Sequence, residues 1–335
     1  MASPLVSALR QRYPQARISW LIQPESYDLL AANEQLDEII VWQRGQWRDL
    51  WRQRRIVLLL RQIYGFIVML RGHHFDLVLD IQGLMKSGIW AWCTGARQRI
   101  GLGSREGSAR LMTRVVSRPK NDDRIGSEYR EIARQLALDT QTFNMRIALA
   151  PDDLAYSKQF CQQHHLHQGY IVICPFTTRP QKHWSEGHWI NFIKQAYEQL
   201  SLPVVMLGGP GDVEAGKRLD CGQSGLINVT GQTRLRQAAA IIANARLLVG
   251  VDTGLTHMGI AAAIPVITLF GSTCPYQDTG QDTTVVLYKA MECSPCRRNP
   301  TCGGAFTCMT DISVADVLES ANQLLNGSIN ENPAC

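Results

Sequence analysis

Short apolar runs alternate with longer amphipathic segments from one end of the chain to the other. Residues 18–22, 38–42 and 76–81 are rich in β-branched and aromatic side chains and bounded by polar residues or glycine, which predicts strands. Between them, 5–13, 25–33 and 47–71 carry apolar positions at helical spacing. The second half repeats the alternation more sharply. There 170–175, 203–207, 225–229, 247–251 and 266–270 read as strands, separated by helical stretches at 189–200, 213–221, 235–244 and 255–263. A last helix at 314–325 precedes a polar tail, 326–335, expected to fray. Strands alternating with helices predict an α/β protein whose parallel sheets carry helices on both faces.

Single hydrophobic cores stop growing near ~250–300 residues, so a chain of 335 residues divides. Pro151, Asp152 and Asp153 break the pattern, which places one domain over 1–150 and a second over 151–328. Two doubly wound, Rossmann-like halves facing a cleft would hold ligands beyond the carboxyl ends of their strands. With 45% hydrophobic and 19% charged residues the chain is not a disordered one. Its net charge of +5 fits an anionic ligand or membrane surface and is too small to argue for nucleic acid. The first residues lack the apolar core of a signal peptide. The strongest apolar run, 56–70, is interrupted by Arg61 and is shorter than the ~20 residues a bilayer span needs. A cytoplasmic location is expected.

Two strand-end loops carry chemistry suited to a phosphate. In Val251-Asp-Thr-Gly-Leu-Thr-His257 a buried strand turns directly into a helix, whose N-terminal amides and dipole favour an anion. Gly254 permits close backbone approach, Thr253 offers a hydroxyl, and His257 lies on the first turn; the plainer alternative makes Asp252 a cap and His257 a packing residue. In Cys174-Pro-Phe-Thr-Thr-Arg-Pro-Gln-Lys182, the residues Thr177, Thr178, Arg179 and Lys182 supply two hydroxyls and two cations, a set suited to a diphosphate or else a solvated basic loop. Gly209, in Leu207-Gly-Gly-Pro-Gly-Asp212, adds a weaker signal of the same kind. Neither the P-loop nor the dinucleotide-binding glycine spacing is present.

Together with Leu269-Phe-Gly-Ser-Thr-Cys-Pro275 and Phe75-Asp-Leu-Val-Leu-Asp-Ile-Gln-Gly-Leu-Met-Lys-Ser87, these stretches resemble, in order and over nearly the whole chain, the motifs of glycosyltransferase family 9, the lipopolysaccharide-core heptosyltransferases. The resemblance implies a GT-B fold, an ADP-heptose donor, inversion at the anomeric carbon and no required cofactor or metal. It also implies donor contacts from Thr177, Thr178, Lys182, Gly209, Asp252, Thr253, Gly254 and His257, with Lys182 stabilising the leaving diphosphate. The implied acceptor is the phosphorylated inner core of lipopolysaccharide, and Arg44, Arg48, Lys86 and Arg105 are the cations expected to meet it, unless they are merely solubilising charge. The N-terminal domain would bind this acceptor and the C-terminal domain the nucleotide sugar.

That family's chain opens with a buried strand and a Gly-Asp turn whose carboxylate is the implied general base. Residues 1–9 look like the helix that follows such a turn, so the first strand of the N-terminal domain is missing and an apolar slot is expected in its place. Either translation starts upstream and Met1 is internal, or the chain has lost its base or uses another carboxylate. Asp80, at the end of its strand, is the substitute to test; it can equally be a structural cap. A related transferase with another sugar or acceptor, and an inactive nucleotide-sugar-binding protein, stay open beside the heptosyltransferase. Cys293, Cys296, Cys302 and Cys308 could complete a zinc site, although the second pair lacks the usual two-residue spacing; a reduced or conditionally bridged loop is the alternative. The segment 47–71 combines arginines with apolar runs, fitting either a helix packed on the sheet or peripheral contact with the inner membrane.

Overall fold

The computed structural model describes residues 1–296 and 299–327, so most of the tail expected to fray lies outside the described residues. The chain forms two compact units: the first is Met1–Asp122 with Gly126–Phe143, and the second takes Asp123–Ile125 and the described residues from Asn144 onward. Residues 123–125 go with the second unit because Ile125 N–H donates to Asp278 O (2.6 Å) and Gln277 N–H to Asp123 O (2.8 Å).

In chain order the first unit holds α1 (Ser3–Arg12), β1 (Ser19–Ile22), β2 (Glu38–Val41), α2 (Arg44–Arg52), α3 (Ile56–Gly72), β3 (Leu77–Asp80), α4 (Met85–Cys93), β4 (Gln98–Leu102), β5 (Arg114–Val116) and α5 (Ser127–Gln135). Two of the expected helices change. Where a helix was expected at 25–33 there is only a 3₁₀ turn, Pro24–Leu29. None of its residues is buried, and a short segment without an apolar face to pack does not hold a helix. The single helix expected at 47–71 is two. Arg54 sits in the left-handed region (φ 57°), and Arg55 N–H reaches back to Leu50 O (2.9 Å), which closes α2 before α3 starts. The polar run from Arg52 to Arg55 has nothing to bury, so the chain turns there and presents a new face.

All strand pairs are parallel, yet they form two separate sheets, β1-β2 and β3-β4-β5. Neither β1 nor β3 has a partner strand on its other side among the described residues. Both line one cavity of about 890 Å³, closed further by Leu5, Val6 and Leu9 of α1 and by Trp42 and Trp90. The cavity runs along the free edges of β1 and β3. Part of the cavity's wall also holds the elements together. Trp42, Trp47, Phe66 and Trp90 pack edge to face, with centroids 5.1–6.2 Å apart, tying α2 and α3 to α4. Ile100, Leu102, Val116, Ile132 and Phe143 pack beneath α1 and α5.

The second unit is one six-stranded parallel sheet. Its elements are α6 (Pro151–Gln163), β6 (Ile171–Cys174), α7 (Glu186–Leu200), β7 (Val204–Met206), α8 (Val213–Leu219), β8 (Leu226–Asn228), α9 (Leu235–Ala243), β9 (Leu247–Val251), α10 (Gly254–Ala261), β10 (Val266–Phe270), β11 (Thr284–Tyr288), α11 (Thr307–Thr310) and α12 (Val314–Gly327). The spatial order is β11-β10-β9-β6-β7-β8. Every residue of β6, β7, β9 and β10 is buried, whereas the edge strands β8 and β11 are half-buried. Helices cover both faces, so these inner strands read in the sequence as continuous apolar runs. The chain lays strands to one side of β6, crosses back through α9, and continues on the other side from β9. The order therefore reverses between β6 and β9, the position where open α/β sheets bind ligands.

His73, just past α3, donates from Nδ1 to Met69 O (2.7 Å) and from Nε2 to Glu38 (2.9 Å), while stacking on Phe75. The Glu38 contact raises the His73 pKa above its ordinary 6.5, and the His73 contact lowers that of Glu38 below 4.5. The histidine's contribution is complete below about pH 6.5 and is lost as pH rises through its raised folded value; that of Glu38 is lost as pH falls through its depressed one. The stability gap between wild type and His73→Gln in urea denaturation should be widest near about pH 5–6 and narrow at higher pH. A gap independent of pH would remove the pair from the account.

Candidate functional site

The site is built where β6, β9 and β10 end side by side. β9 delivers Asp252, and α10 begins two residues later. Thr256 Oγ1 donates to Val251 O (2.7 Å), fixing the first turn of the helix against the strand. That approach needs Gly250, because a Cβ there would stand 2.2 Å from Thr256 Oγ1 and 3.1 Å from Cys174 Cβ. Thr253, the N-cap, makes no side-chain cap, so it leaves the first-turn amides of α10 without that partner.

Lys182 arrives from β6. Its loop runs through a 3₁₀ turn, Pro180–Lys182, and is anchored behind by Trp184, which is buried and donates from Nε1 to Ile312 O (2.8 Å). The ammonium then meets Asp252 Oδ2 at 2.6 Å. Thr273, beyond the end of β10, donates to the same oxygen (2.6 Å), and His257 Nε2 stands 3.5 Å from Oδ1. Tyr276 OH lies 2.9 Å from His257 Nδ1 and fixes the ring from behind.

Burial alone pushes the Asp252 carboxyl up. Hydrogen bonds from His257, Lys182 and Thr273, with the Lys182 charge, outweigh it and hold the group well below the ordinary carboxylate range. Asp252 is thus a fixed anion and a poor proton acceptor near neutral pH. Its effect is to orient a lysine, a histidine and a hydroxyl. The Lys182, Asp252 and His257 side chains are 14–17% exposed, sheltered from water yet open to a ligand. Beside them lies the free front of α10: a Cβ on Gly254 would meet nothing within 4 Å. A cation and a helix N-terminus around one open point have the chemistry to hold a phosphate or diphosphate.

Sequence-predicted residues separate into groups. Lys182, Asp252, Thr253, Gly254 and His257 are brought together. Thr177 and Thr178 stand on the Lys182 loop, with His183 Nε2 donating to Thr177 O (2.9 Å). Gly209, after β7, has its amide bound by the Asp212 carboxylate (2.8 Å). In the first unit Asp80 Oδ1 accepts the amides of Gln82 and Gly83, both at 3.1 Å, and the residue is 4% exposed. Oδ1 thus caps the turn after β3, while Oδ2 is buried without a hydrogen-bond partner and the residue lines the cavity of about 890 Å³. Lys86 opens α4, where Met85 N–H is bound by Glu106, and the next residue back, Arg105, donates its amide to Gly83 O (2.6 Å). Arg44 stacks over Trp42 and Arg48 lies 3.8 Å from Asp49, both on α2. The four cysteines of the cluster are unbridged, and no set of three or more His, Cys, Asp or Glu among the described residues is placed to hold a metal. Thr273 and Tyr276 were missed. They stand in or next to a stretch singled out in the sequence, but only the adjacency of β10 to β9 shows which hydroxyls face Asp252.

The sequence model of glycosyltransferase family 9 (heptosyltransferase) matches residues 63–304, a span that takes in every residue of this cluster. Lipopolysaccharide heptosyltransferase 1 of Pseudomonas aeruginosa is 26% identical over 306 residues, covering 89% of this chain and 82% of that protein. Lipopolysaccharide heptosyltransferase 1 of Escherichia coli (strain K12) is 25% identical over 276 residues, covering 81% and 83%. Among solved structures, the E. coli ADP-heptose lipopolysaccharide heptosyltransferase II aligns with a TM-score of 0.74 at 23% identity, over 98% of this chain and 95% of that one. That likeness shows a shared fold, of the GT-B class.

The two glycines of β9 and α10 should behave oppositely. Gly254→Ala should leave the melting temperature unchanged or slightly raised, since its methyl enters open space in a helix, while weakening nucleoside diphosphate binding in calorimetry. Gly250→Ala should cost about 1–3 kcal/mol of stability through overpacking against Thr256. Lys182→Ala should lower nucleoside diphosphate affinity by roughly 10–100-fold, the loss of one charge-assisted hydrogen bond, with the fold retained by circular dichroism. Unchanged affinity would take Lys182 out of the site.

Proposed function

Since the chain belongs to glycosyltransferase family 9 and is a glycosyltransferase, we propose that it moves a heptose from ADP-heptose to the inner core of lipopolysaccharide, with inversion at the anomeric carbon. The observation that carries the proposal is the Lys182–Asp252 contact at the open N-terminus of α10. When an acceptor hydroxyl attacks the anomeric carbon, negative charge builds on the departing diphosphate. Lys182 and the α10 dipole are the groups that stabilise it, so charge neutralisation is assigned to the protein itself and no cofactor is invoked. Thr177, Thr178, Thr253, Gly254 and His257 would line the same phosphates and the ribose, joined by Gly209, whose amide is already engaged by Asp212.

Arg44, Arg48, Lys86 and Arg105 would meet the phosphorylated acceptor in the domain over 1–150, with the donor held in the domain over 151–328. The acceptor's anchorage puts the work at the cytoplasmic face of the inner membrane. One observation favours a second reading, nucleotide-sugar binding without turnover. Asp252 is held too acidic to take a proton near neutral pH, and one oxygen of Asp80 is committed to capping the turn after β3.

ADP release from ADP-heptose in the presence of a lipopolysaccharide inner-core acceptor should exceed release from other nucleotide sugars. ADP-heptose binding without release would favour the second reading. Preference for another nucleotide sugar would keep the transferase and discard the heptose.

A further inference from the structure

α3 is apolar on two faces, and only one of them is used. Leu59, Ile63, Phe66 and Leu70 turn inward, the last three packing with Trp42, Trp47 and Trp90. On the opposite side Val57, Leu60, Tyr64 and Val68 follow at spacings of three, four and four residues, one helical stripe, and are 84%, 59%, 70% and 50% exposed. Trp51, on the preceding helix α2, is a further large apolar side chain left 65% exposed. Isolated exposed apolar residues are ordinary, but a contiguous stripe along a helix marks a docking face.

Charge identifies the occupant. From Arg44 to Gly72 there are seven arginines and one acidic residue, Asp49, a net charge of +6 within a chain whose total is +5. The rest of the protein is therefore slightly acidic. Arg52, Arg54, Arg55, Arg61 and Arg71 are all exposed, and α3 contains no acidic side chain. A second copy of the chain would set this positive surface against itself. A surface that accepts apolar side chains to a shallow depth and presents negative charge beside them is an anionic lipid bilayer. Trp51 and Tyr64 are the aromatic types that settle at such an interface. No helix among the described residues is long and apolar enough to cross a membrane, so α3 would lie on it.

We propose that α2 and α3 form a membrane-docking face, in which Val57, Leu60, Tyr64 and Val68 enter the headgroup layer of an anionic bilayer and Arg52, Arg54 and Arg55 hold its phosphates. This deepens the proposed function, resting on it only for which membrane is met; the docking itself is tested without turnover. The purified chain should co-sediment with vesicles of phosphatidylcholine mixed with phosphatidylglycerol and not with pure phosphatidylcholine. Each arginine near an anionic surface strengthens binding roughly fivefold, so the combined Arg52→Glu, Arg54→Glu, Arg55→Glu variant should bind at least ~100-fold more weakly. Leu60→Ser with Tyr64→Ser should also release the protein from the mixed vesicles while leaving its melting temperature unchanged, because both side chains are exposed in the folded chain. Equal binding to both vesicle types, or variants that bind like wild type, would overturn the proposal. So would a lipid-free dimer in sedimentation velocity that Leu60→Ser abolishes, which would assign the face to a second copy. Turnover on a water-soluble acceptor should be the same in wild type and both variants. Failure of turnover in all three would count against the transfer reaction and leave the vesicle result to stand by itself.

Discussion

A carboxylate taken most of the way out of water must be matched by donors, and Asp252 is matched from three directions. One donor comes from its own helix, His257, and the others from the loops after two neighbouring strands, Lys182 and Thr273. None of these loops would be held so closely to the others by its own sequence. The single anion draws them together, and burial strengthens each contact by lowering the local dielectric. The outcome is a lysine and a helix terminus aimed at one point before any ligand arrives, which is the form of preorganisation that electrostatic catalysis uses.

The sheet makes this possible. Strand order reverses between β6 and β9, and the loops that follow these two strands meet in front of the strand ends, where Lys182 reaches Asp252. Glycines divide the labour. Gly250 is required by packing, since Thr256 occupies the place of its absent side chain, whereas no protein atom crowds Gly254.

The second unit was legible because its inner strands are buried on both faces and its helices on one, giving long apolar runs punctuated by glycine and proline. All five strands read there exist, and the loops singled out follow them. Short or half-exposed elements escaped: β4 opens on Gln98 and Arg99, β5 has three residues, and β11 is a half-buried edge. The break at Arg54 could not be seen either, because a left-handed arginine has no sequence signature. Asp80 shows a different limit. A carboxylate at a strand end has the same sequence context whether it serves a reaction or caps a turn, and only the structure shows that Oδ1 takes the amides of Gln82 and Gly83 while Oδ2 is left unpaired. Thr273 and Tyr276 depended on which strands are neighbours, and no local pattern states that.

The molecule carries two populations of positive charge that differ in shelter. Lys182 is largely enclosed and 2.6 Å from its partner, while the arginines along α2 and α3 stand in solvent, most of them without a carboxylate nearby. Mobile ions screen the second kind far more than the first, with a Debye length near ~8 Å under physiological conditions. Ionic strength therefore acts on them separately: a rise in the concentration of ordinary electrolyte weakens whatever the arginine surface holds, long before it loosens the lysine that faces the helix end.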